Sequence, residues 1–310
     1  MNKQLAIVFP GQGSQSVGML AELAGAHSEV EATFAEASTV LGYDLWELVQ
    51  DGPEADLNQT DRTQPAMLAA GVAVWHIWTR QGGAAPAFLA GHSLGEYTAL
   101  VCAGSLAFSD GIRLVAERGR RMQVAVPAGI GAMAAILGLD DDQVRAACSA
   151  AAQGEVVQAV NFNSPGQVVI AGHKAAVERA CTGAKAMGAK RAVPLAVSVP
   201  SHSSLMQPAA EAFAATLATT GIEAPRIPVI HNADVAAYTD PAAIRDALIR
   251  QIYTPVRWVE TIQYLSGQGI THIIEAGPGK VLTGLNKRID KHIASLAAFD
   301  SASLAAALVG

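Results

Sequence analysis

The 310-residue sequence is poor in aromatic and charged side chains. Aromatic residues make up 5% of it and Asp, Glu, Lys and Arg together 15%, whereas 51% is hydrophobic. Disordered chains have the opposite composition, so disorder is excluded. No apolar run reaches the roughly 18 residues that a membrane-spanning helix needs, and His76 interrupts the best candidate, residues 69–78. We therefore expect a globular protein that has no membrane partner.

Basic residues and cysteines are also scarce. The 21 Lys and Arg residues are outnumbered by 27 Asp and Glu residues, and the net charge of −6 without a long basic run argues against nucleic acid as the main partner. Three widely spaced cysteines predict neither a disulfide framework nor a zinc site, and no histidine has metal-ligand spacing. The apolar stretch 5–9 is too short for a signal-peptide core. These features predict a cytoplasmic protein without a metal.

Short apolar runs and amphipathic segments alternate along most of the chain. This alternation predicts a mostly parallel sheet covered by helices on both faces. The predicted strands of this part are 5–9, 87–90, 229–231 and 273–275, and the predicted helices are 28–41, 64–80, 94–102, 110–122, 205–219, 241–252, 256–265 and 281–289.

The middle of the sequence has a different order of elements. Strands at 132–137, 156–161, 168–171 and 191–195 and helices at 141–152 and 175–187 give the order βαββαβ, which is the ferredoxin-like pattern. We therefore predict a small ferredoxin-like domain at 126–198, inserted into a larger α/β domain formed by 1–125 and 199–310.

The strongest chemical signal is the sequence GHSLGE at Gly91–Glu96. It is a G-x-S-x-G motif between a predicted strand and a predicted helix, the context of a nucleophile elbow. Glycines on both sides of Ser93 let neighbouring backbone approach the sharp turn. The N–H of Leu94 can then face a developing oxyanion. We predict that Ser93 is a nucleophile, and a Gly-Ser turn that only caps the helix is the alternative.

A serine nucleophile needs a base, and His202 is one candidate among eight histidines. It precedes a predicted helix, where the positive end of the helix dipole favours the neutral imidazole that accepts a proton. A loop histidine that caps the helix is an equally good interpretation. The adjacent His92 is a poor base because consecutive side chains at an elbow point apart. Asp110, Asp140 and Asp234 are possible acids, but nothing in the sequence selects one of them.

Two further segments bear on the site. The sequence PGQGSQ at Pro10–Gln15 follows the first strand and is a weak match to a nucleotide-binding loop, since Ser16 stands where a third glycine would be. Its glycines expose backbone N–H groups at a sheet edge where ligands bind, which makes the N–H of Gln12 a second candidate oxyanion donor. Arg118 lies on the apolar face of its predicted helix and must have a partner, either a protein carboxylate or a substrate carboxylate.

Five segments occur in the order seen in malonyl-CoA:acyl-carrier-protein transacylases, and the sequence resembles that family over nearly its whole length. They are Phe9–Gln15, Gly91–Glu96, Asn161–Pro165, Pro200–His202 and Glu275–Pro278. The resemblance implies a hydrolase-like α/β domain with an inserted ferredoxin-like domain.

The same resemblance implies roles for particular residues. Ser93 would be the nucleophile and His202 the base, with the main-chain carbonyl of Gln251 orienting the histidine. The N–H groups of Gln12 and Leu94 would form the oxyanion hole. Arg118 would bind the malonyl carboxylate. Two residues inside the matching segments, His92 and Asn163, are further expected substrate-binding residues.

The activity implied is ping-pong transfer of malonyl from malonyl-CoA to the phosphopantetheine thiol of acyl carrier protein, without a cofactor. The chain would act as a monomer in fatty-acid elongation, and a polyketide pathway is the alternative route. A serine esterase and a non-enzymatic nucleotide-binding protein are the rival classes. Since carrier proteins are acidic, we expect a local basic docking surface at Lys190–Arg191 and at Lys287–Arg288 with Lys291.

Overall fold

The computed structural model describes residues 2–127, 129–197 and 199–309. The strands are β1 Asn2–Phe9, β2 Pro86–Gly91, β3 Gly131–Leu137, β4 Val157–Ser164, β5 Gln167–His173, β6 Arg191–Pro194, β7 Val229–His231, β8 Ala236–Ala237, β9 His272–Ala276 and β10 Ala294–Ala298. The helices are α1 Ala21–Ala26, α2 Ser28–Leu41, α3 Leu45–Asp51, α4 Glu54–Leu57, α5 Thr60–Arg80, α6 Gly95–Cys102, α7 Phe108–Ala125, α8 Asp141–Ala152, α9 Lys174–Ala186, α10 Gln207–Thr219, α11 Pro241–Gln251, α12 Trp258–Gly267, α13 Val281–Ile289 and α14 Ser301–Val309.

A six-stranded sheet in the order β10-β9-β1-β2-β7-β8 forms the large α/β part. The first five strands are parallel and β8 is antiparallel to β7. β1 lies between β9 and β2, and its residues from Leu5 to Phe9 are buried. A strand that is buried on both faces has a continuous run of apolar residues, and residues 5–9 form such a run. The predicted parallel sheet flanked by helices is therefore confirmed.

A separate antiparallel sheet in the order β4-β5-β3-β6 forms the small part. Its elements follow one another as βαββαβ, with α8 and α9 packed against each other. Alanine and valine side chains of these helices and strands form their own hydrophobic cluster. The ferredoxin-like part of the fold prediction is therefore confirmed. The domain boundaries at 126 and 198 stay a prediction, and position 198 lies outside the described residues.

Most predicted elements are present with small shifts of their ends, and a few were missed. Helix α5 begins at Thr60, four residues before its predicted start, because Thr60 and Thr63 are buried and extend its packed face. Pro65 consequently lies inside the helix. The sequence did not reveal the short helices α1, α3 and α4 near the amino terminus, the two-residue strand β8, or the last two elements, β10 and α14. No described helix is long and apolar enough to cross a membrane.

Two strand pairings bring the candidate residues together. Phe9 at the end of β1 lies beside Gly91 at the end of β2, so the loop after β1 and the turn after β2 are neighbours at the carboxyl edge of the sheet. The small sheet is tied to the large part through Val256, whose N–H donates to Val160 O (2.8 Å) and whose carbonyl accepts from Phe162 N (3.0 Å). The cleft between the two parts therefore lies over this edge.

Candidate active site

Ser93 lies on a sharp turn between β2 and α6. Its φ of 51° is in the left-handed region that few non-glycine residues occupy. The turn has no room for side chains on either flank. A Cβ on Gly91 would lie 1.9 Å from the carbonyl carbon of Gly95, and a Cβ on Gly95 would lie 2.1 Å from the carbonyl oxygen of Phe9. The glycines of the motif are therefore required by close backbone approach, as the elbow prediction supposed.

Asn232, which follows β7, holds the turn from the opposite side. Its side-chain oxygen accepts a hydrogen bond from the N–H of Ser93 (2.7 Å), and its Nδ2 donates to the carbonyl of Gly91 (2.7 Å). Asn232 is fully buried, so these bonds are not in competition with water. The two hydrogen bonds of this buried amide hold the backbone of Ser93 in its strained conformation.

His202 is in hydrogen-bond contact with the Ser93 hydroxyl. The Oγ to Nε2 distance is 2.7 Å, and the other ring nitrogen, Nδ1, lies 2.7 Å from the main-chain carbonyl of Gln251. A carbonyl only accepts, so Nδ1 carries the proton and Nε2 is free to accept one from Ser93. His202 is 3% exposed. The structure thus brings together the serine, the histidine and the carbonyl that the sequence named.

None of the three aspartates left open by the sequence contacts His202. Asp110 pairs with Arg113, Asp140 caps helix α8, and Asp234 binds Arg250 through two hydrogen bonds of 2.6 Å. The position of a triad carboxylate is taken by a neutral main-chain carbonyl. Such a partner fixes the tautomer and orientation of the ring without adding a charge.

The environment of His202 favours its neutral form. Burial and the neighbouring Arg118 cation lower the pKa of His202 to about 3. Both causes penalise the imidazolium, because a buried charge loses hydration and two cations repel each other. His202 is consequently unprotonated near neutral pH, the form required of a general base.

Arg118 projects from α7 into the site and is 1% exposed. Its Nη1 donates to the side chain of Gln64 (2.9 Å), and its Nη2 donates to the side chain of Gln251 (2.9 Å) and lies 3.2 Å from Ser93 Oγ. Nε has no partner among the described residues, and none of the ion pairs found among them includes the Arg118 guanidinium. Burial lowers the pKa of Arg118. Of the two partners that the sequence allowed, a protein carboxylate is therefore wrong for the described part of the chain.

Gln12 and Leu94 both line the cleft beside Ser93. Neither main-chain N–H donates a hydrogen bond to any described residue. The two loops touch closely, since a Cβ on Gly11 would lie 2.5 Å from the carbonyl oxygen of His92. Two unengaged N–H groups on adjacent loops are the arrangement that an oxyanion hole needs. Their assignment to that role stays a prediction.

His92 points away from the serine, as expected at an elbow. Its Nε2 lies 2.8 Å from Oδ1 of Asn163 at the end of β4, and its ring packs at a tilt on Trp258, 5.6 Å between centroids. Burial lowers the pKa of His92, and the bond to Asn163 partly offsets this. The pair connects the elbow to the small sheet. Direct substrate contact by His92 and Asn163 stays a prediction.

The cleft over Ser93 has a volume of about 320 Å³ and lies between the two sheets. Its floor carries Ser93, His202 and Arg118. Its wall on the small-sheet side is largely apolar, with Met133, Leu195 and Val197. No group of three or more possible metal ligands is found in residues 2–127, 129–197 and 199–309. A small acyl group with a charged end fits such a floor.

Comparisons with known proteins agree with this geometry. A family model described as an acyl transferase domain matches residues 6–303. The chain belongs to the acyl transferase family. It is 60% identical to the malonyl CoA-acyl carrier protein transacylase of Salmonella typhimurium, over 98% of this chain and 99% of that protein. The corresponding protein of Bacillus subtilis is 44% identical over 98% and 96%.

Solved structures of acyl transferases have the same fold. An acyl carrier protein S-malonyltransferase from Vibrio cholerae has a TM-score of 0.95 at 64% identity, covering 98% of this chain and 99% of that chain. A complex described as a type II PKS acyl-carrier protein with its malonyl-transacylase has a TM-score of 0.98 at 58% identity, covering 99% of each chain. The family predicted from the five segments is therefore confirmed.

Three buried polar residues of this acyl transferase site were missed by the sequence analysis. They are Gln64, Glu96 and Asn232, and the side chain of Gln251 has a role beside that of its carbonyl. Glu96 belongs to the segment GHSLGE and could have been found there as a buried acid one turn after the nucleophile. Gln64 and Asn232 gave no local signal, because their partners lie far away in the sequence.

Proposed function

We propose that this chain transfers the malonyl group of malonyl-CoA to the phosphopantetheine thiol of an acyl carrier protein through a malonyl-Ser93 intermediate. The observation that carries the proposal is the geometry around one atom. Ser93 Oγ lies 2.7 Å from the acceptor nitrogen of His202 and 3.2 Å from the buried guanidinium of Arg118. The names of the relatives, malonyl CoA-acyl carrier protein transacylases, support the same function.

In the first half-reaction Ser93 attacks the thioester carbonyl of malonyl-CoA. His202 takes the hydroxyl proton on Nε2 as the bond from Oγ to the carbonyl carbon forms. The N–H groups of Gln12 and Leu94 hold the negative charge of the tetrahedral oxygen. The C–S bond then breaks, and the coenzyme A sulfur leaves with the proton from His202. Malonyl-Ser93 remains.

The second half-reaction runs through the same groups in the opposite direction. His202 takes the proton of the carrier thiol, and the thiolate attacks the ester carbonyl of malonyl-Ser93. The bond from the carbonyl carbon to Oγ breaks, and Ser93 regains its proton from His202. No proton or electron is gained or lost over the two halves, so Ser93 and His202 are restored.

Arg118 accounts for the choice of a malonyl group. Its guanidinium is buried without a described carboxylate partner, and its Nε is unengaged. The free carboxylate of a malonyl group supplies the missing anion, held by the planar donor fork. An acetyl group leaves this buried cation unpaired. The carboxylate also offsets the charge that lowers the pKa of His202, which strengthens the base once the correct substrate is bound.

The test of this function is a comparison of malonyl and acetyl transfer in Arg118→Ala. We expect the variant to lose malonyl transfer by about 10²-fold or more, the cost of an unmade charge-assisted contact in a buried site, while acetyl transfer falls much less. Rates of coenzyme A release from the two thioesters measure this. Equal losses for both thioesters would contradict the role of Arg118.

The carrier protein is expected at a basic surface on the open side of the cleft. Lys190 and Arg288, one from each segment predicted from the sequence, line the same surface groove. Lys287 and Lys291 are exposed near Arg288. Strand β6 runs from Arg191 to Pro194, and the next residue, Leu195, lines the active-site cleft. We propose that an acidic carrier protein docks on this groove and sends its arm along β6.

The proposal also covers the metabolic pathway that the enzyme serves, its oligomeric state and its location. Supply of malonyl groups for fatty-acid elongation is the favoured route, and a polyketide pathway is the alternative that the complex with a type II PKS carrier supports. The enzyme is proposed to act as a cytoplasmic monomer. It needs no cofactor in this proposal, since Ser93, His202 and Arg118 supply nucleophile, base and cation. A serine esterase is disfavoured, because His202 is oriented by a carbonyl instead of an acid.

A further inference from the structure

Glu96 is a fully buried carboxylate beneath the nucleophile elbow, in the first turn of α6. It accepts hydrogen bonds from the N–H of Asn232 (2.9 Å) and from Nε2 of Gln251 (2.9 Å), and its Oε1 lies 2.7 Å from Nδ1 of His231. The main-chain N–H of Asn232 and the side-chain amide of Gln251 are both donors, which a carboxylate oxygen accepts. A charge at this depth persists only with such partners. The mechanism above does not use it.

Gln251 is the link between Glu96 and the reacting groups. Its Nε2 donates to Glu96 and to the carbonyl of Ser93 (2.9 Å), its Oε1 accepts from Arg118, and its main-chain oxygen accepts from His202. The two ends of an amide are chemically opposite. Because Glu96 only accepts, it requires Nε2 on its side and so leaves Oε1 for Arg118. A reversed amide would place two donors against each other at Arg118.

We infer that Glu96 is a positioning residue for malonyl transfer, whose carboxylate fixes Gln251 and through it the Arg118 guanidinium and the His202 ring. The inference rests on the proposed function. Glu96 never touches the substrate in this account. Together with the Ser93 carbonyl and Arg118, it fixes which way the Gln251 amide faces. It also holds the segment that carries the Gln251 carbonyl.

The same carboxylate also supports the serine. The N–H of Asn232 is bound to Glu96, and the side chain of Asn232 holds the N–H of Ser93. In addition, the negative charge of Glu96 raises the pKa of Arg118 and so opposes the effect of its burial. All three groups that act in the reaction are thus connected to one buried acid by two hydrogen bonds each, through Gln251 or Asn232.

A purely structural role is the alternative, and the chain contains a matched example of one. Glu275, at the end of the parallel strand β9, is also fully buried. Its two oxygens accept from the N–H groups of Leu282 (3.0 Å) and Thr283 (2.7 Å) at the start of α13. It therefore caps a helix and has no described contact with Ser93, His202 or Arg118. The change from Glu to Gln is the same chemical change at both positions.

The experiment compares wild type, E96Q and E275Q in single-turnover release of coenzyme A from malonyl-CoA and acetyl-CoA. Thermal unfolding shows that each variant is folded. We expect E96Q to slow the release of coenzyme A from malonyl-CoA by about 10- to 100-fold, the usual cost of removing a partner that orients a reactive group. Release from acetyl-CoA should slow less. The Nδ1–H proton resonance of His202 should shift or broaden in E96Q. E275Q should stay within about threefold of wild type, since it changes stability only.

Equal behaviour of E96Q and E275Q in the malonyl-to-acetyl ratio and in the His202 resonance overturns the inference. If E96Q does not fold, Gln251→Met tests the same link, because it keeps the carbonyl and removes the amide. Loss of malonyl preference in that variant supports the inference, and retention of it overturns the inference. A wild-type enzyme that releases no coenzyme A from malonyl-CoA would instead contradict the proposed function.

Discussion

Ser93 and His202 share one hydrogen bond, but two different kinds of structure hold them there. The Ser93 side is mainly local, since a strand, a turn and a helix within Pro86–Cys102 shape it and the glycines on both sides of the serine allow no other side chain. Asn232 adds two hydrogen bonds from a distant segment. The His202 side is assembled from distant segments. Its Nδ1 binds the carbonyl of Gln251, and its own N–H donates to the carbonyl of Ile252 (3.1 Å).

The nucleophile and the base are therefore held in place in two different ways. The nucleophile is fixed by the absence of space, which allows no adjustment of the backbone. The base is fixed by hydrogen bonds to a segment whose own position depends on α11 and on the link from Val256 to the small sheet. Changes at the elbow should therefore destroy the site, whereas changes on the histidine side should alter rate and pH dependence.

The largest expected effect is that of Gly91→Ala. The added Cβ would lie 1.9 Å from the carbonyl carbon of Gly95, so the elbow must open. We expect the free energy of unfolding to fall by more than about 3 kcal/mol, above the ordinary cost of overpacking, and the formation of acyl-enzyme to be lost. Chemical denaturation and acylation assays measure both. In the control Gly25→Ala, on α1, the Cβ meets nothing within 4 Å and stability should change little or rise. Similar behaviour of the two variants would show that the elbow is not tight.

An intermediate effect is expected in the pH dependence of acylation. Because the pKa of His202 is lowered to about 3, its neutral fraction does not decline as the pH falls from 7.5 to 5.5. We expect kcat/KM for malonyl-CoA to change by less than about twofold over this range, whereas a histidine at the usual 6.5 would cost roughly tenfold. In Arg118→Gln, assayed with acetyl-CoA, loss of the cation should move the acid limb to higher pH. A midpoint near 6.5 in the wild-type profile would contradict the assignment.

The smallest expected effect lies outside both halves of the site. Charge reversal at Lys190 and Arg288 together should slow transfer to the carrier protein by about 10-fold at low salt, and the difference should shrink as salt is added. Lys3→Glu, at the exposed amino-terminal end of β1, is the control. Steady-state rates at varied carrier concentration measure the effect. A rate with carrier protein that is unchanged by the double reversal would refute the docking surface.

The sequence predicted features that depend on neighbouring residues better than features that depend on contacts between distant residues. Long amphipathic or buried segments such as α8, Asp141–Ala152, and α13, Val281–Ile289, were predicted with the bounds that they have. The short helices near the amino terminus have too few turns to show a period. The strand at Ala294–Ala298 is made of small residues apart from Leu296 and has no alternation of apolar and polar side chains to reveal it.

The same holds for the site. The serine elbow could be predicted from contiguous residues, because the nucleophile and the glycines that the turn requires all lie within Gly91–Glu96. The roles of His202, Arg118 and the Gln251 carbonyl came from the family resemblance, since the residues alone left alternatives open. The amide of Gln251 and the acceptor Gln64 depend on contacts across more than fifty residues, so no local pattern marks them.

The most direct test of the account is intact-mass measurement of the enzyme after mixing with malonyl-CoA. We predict a mass increase equal to one malonyl group in the wild-type protein, localised to Ser93, stable until carrier protein is added, and absent in Ser93→Ala. An adduct that persists in Ser93→Ala, or a wild-type enzyme that turns over malonyl-CoA without any adduct, would contradict the central claim that the malonyl group passes through Ser93.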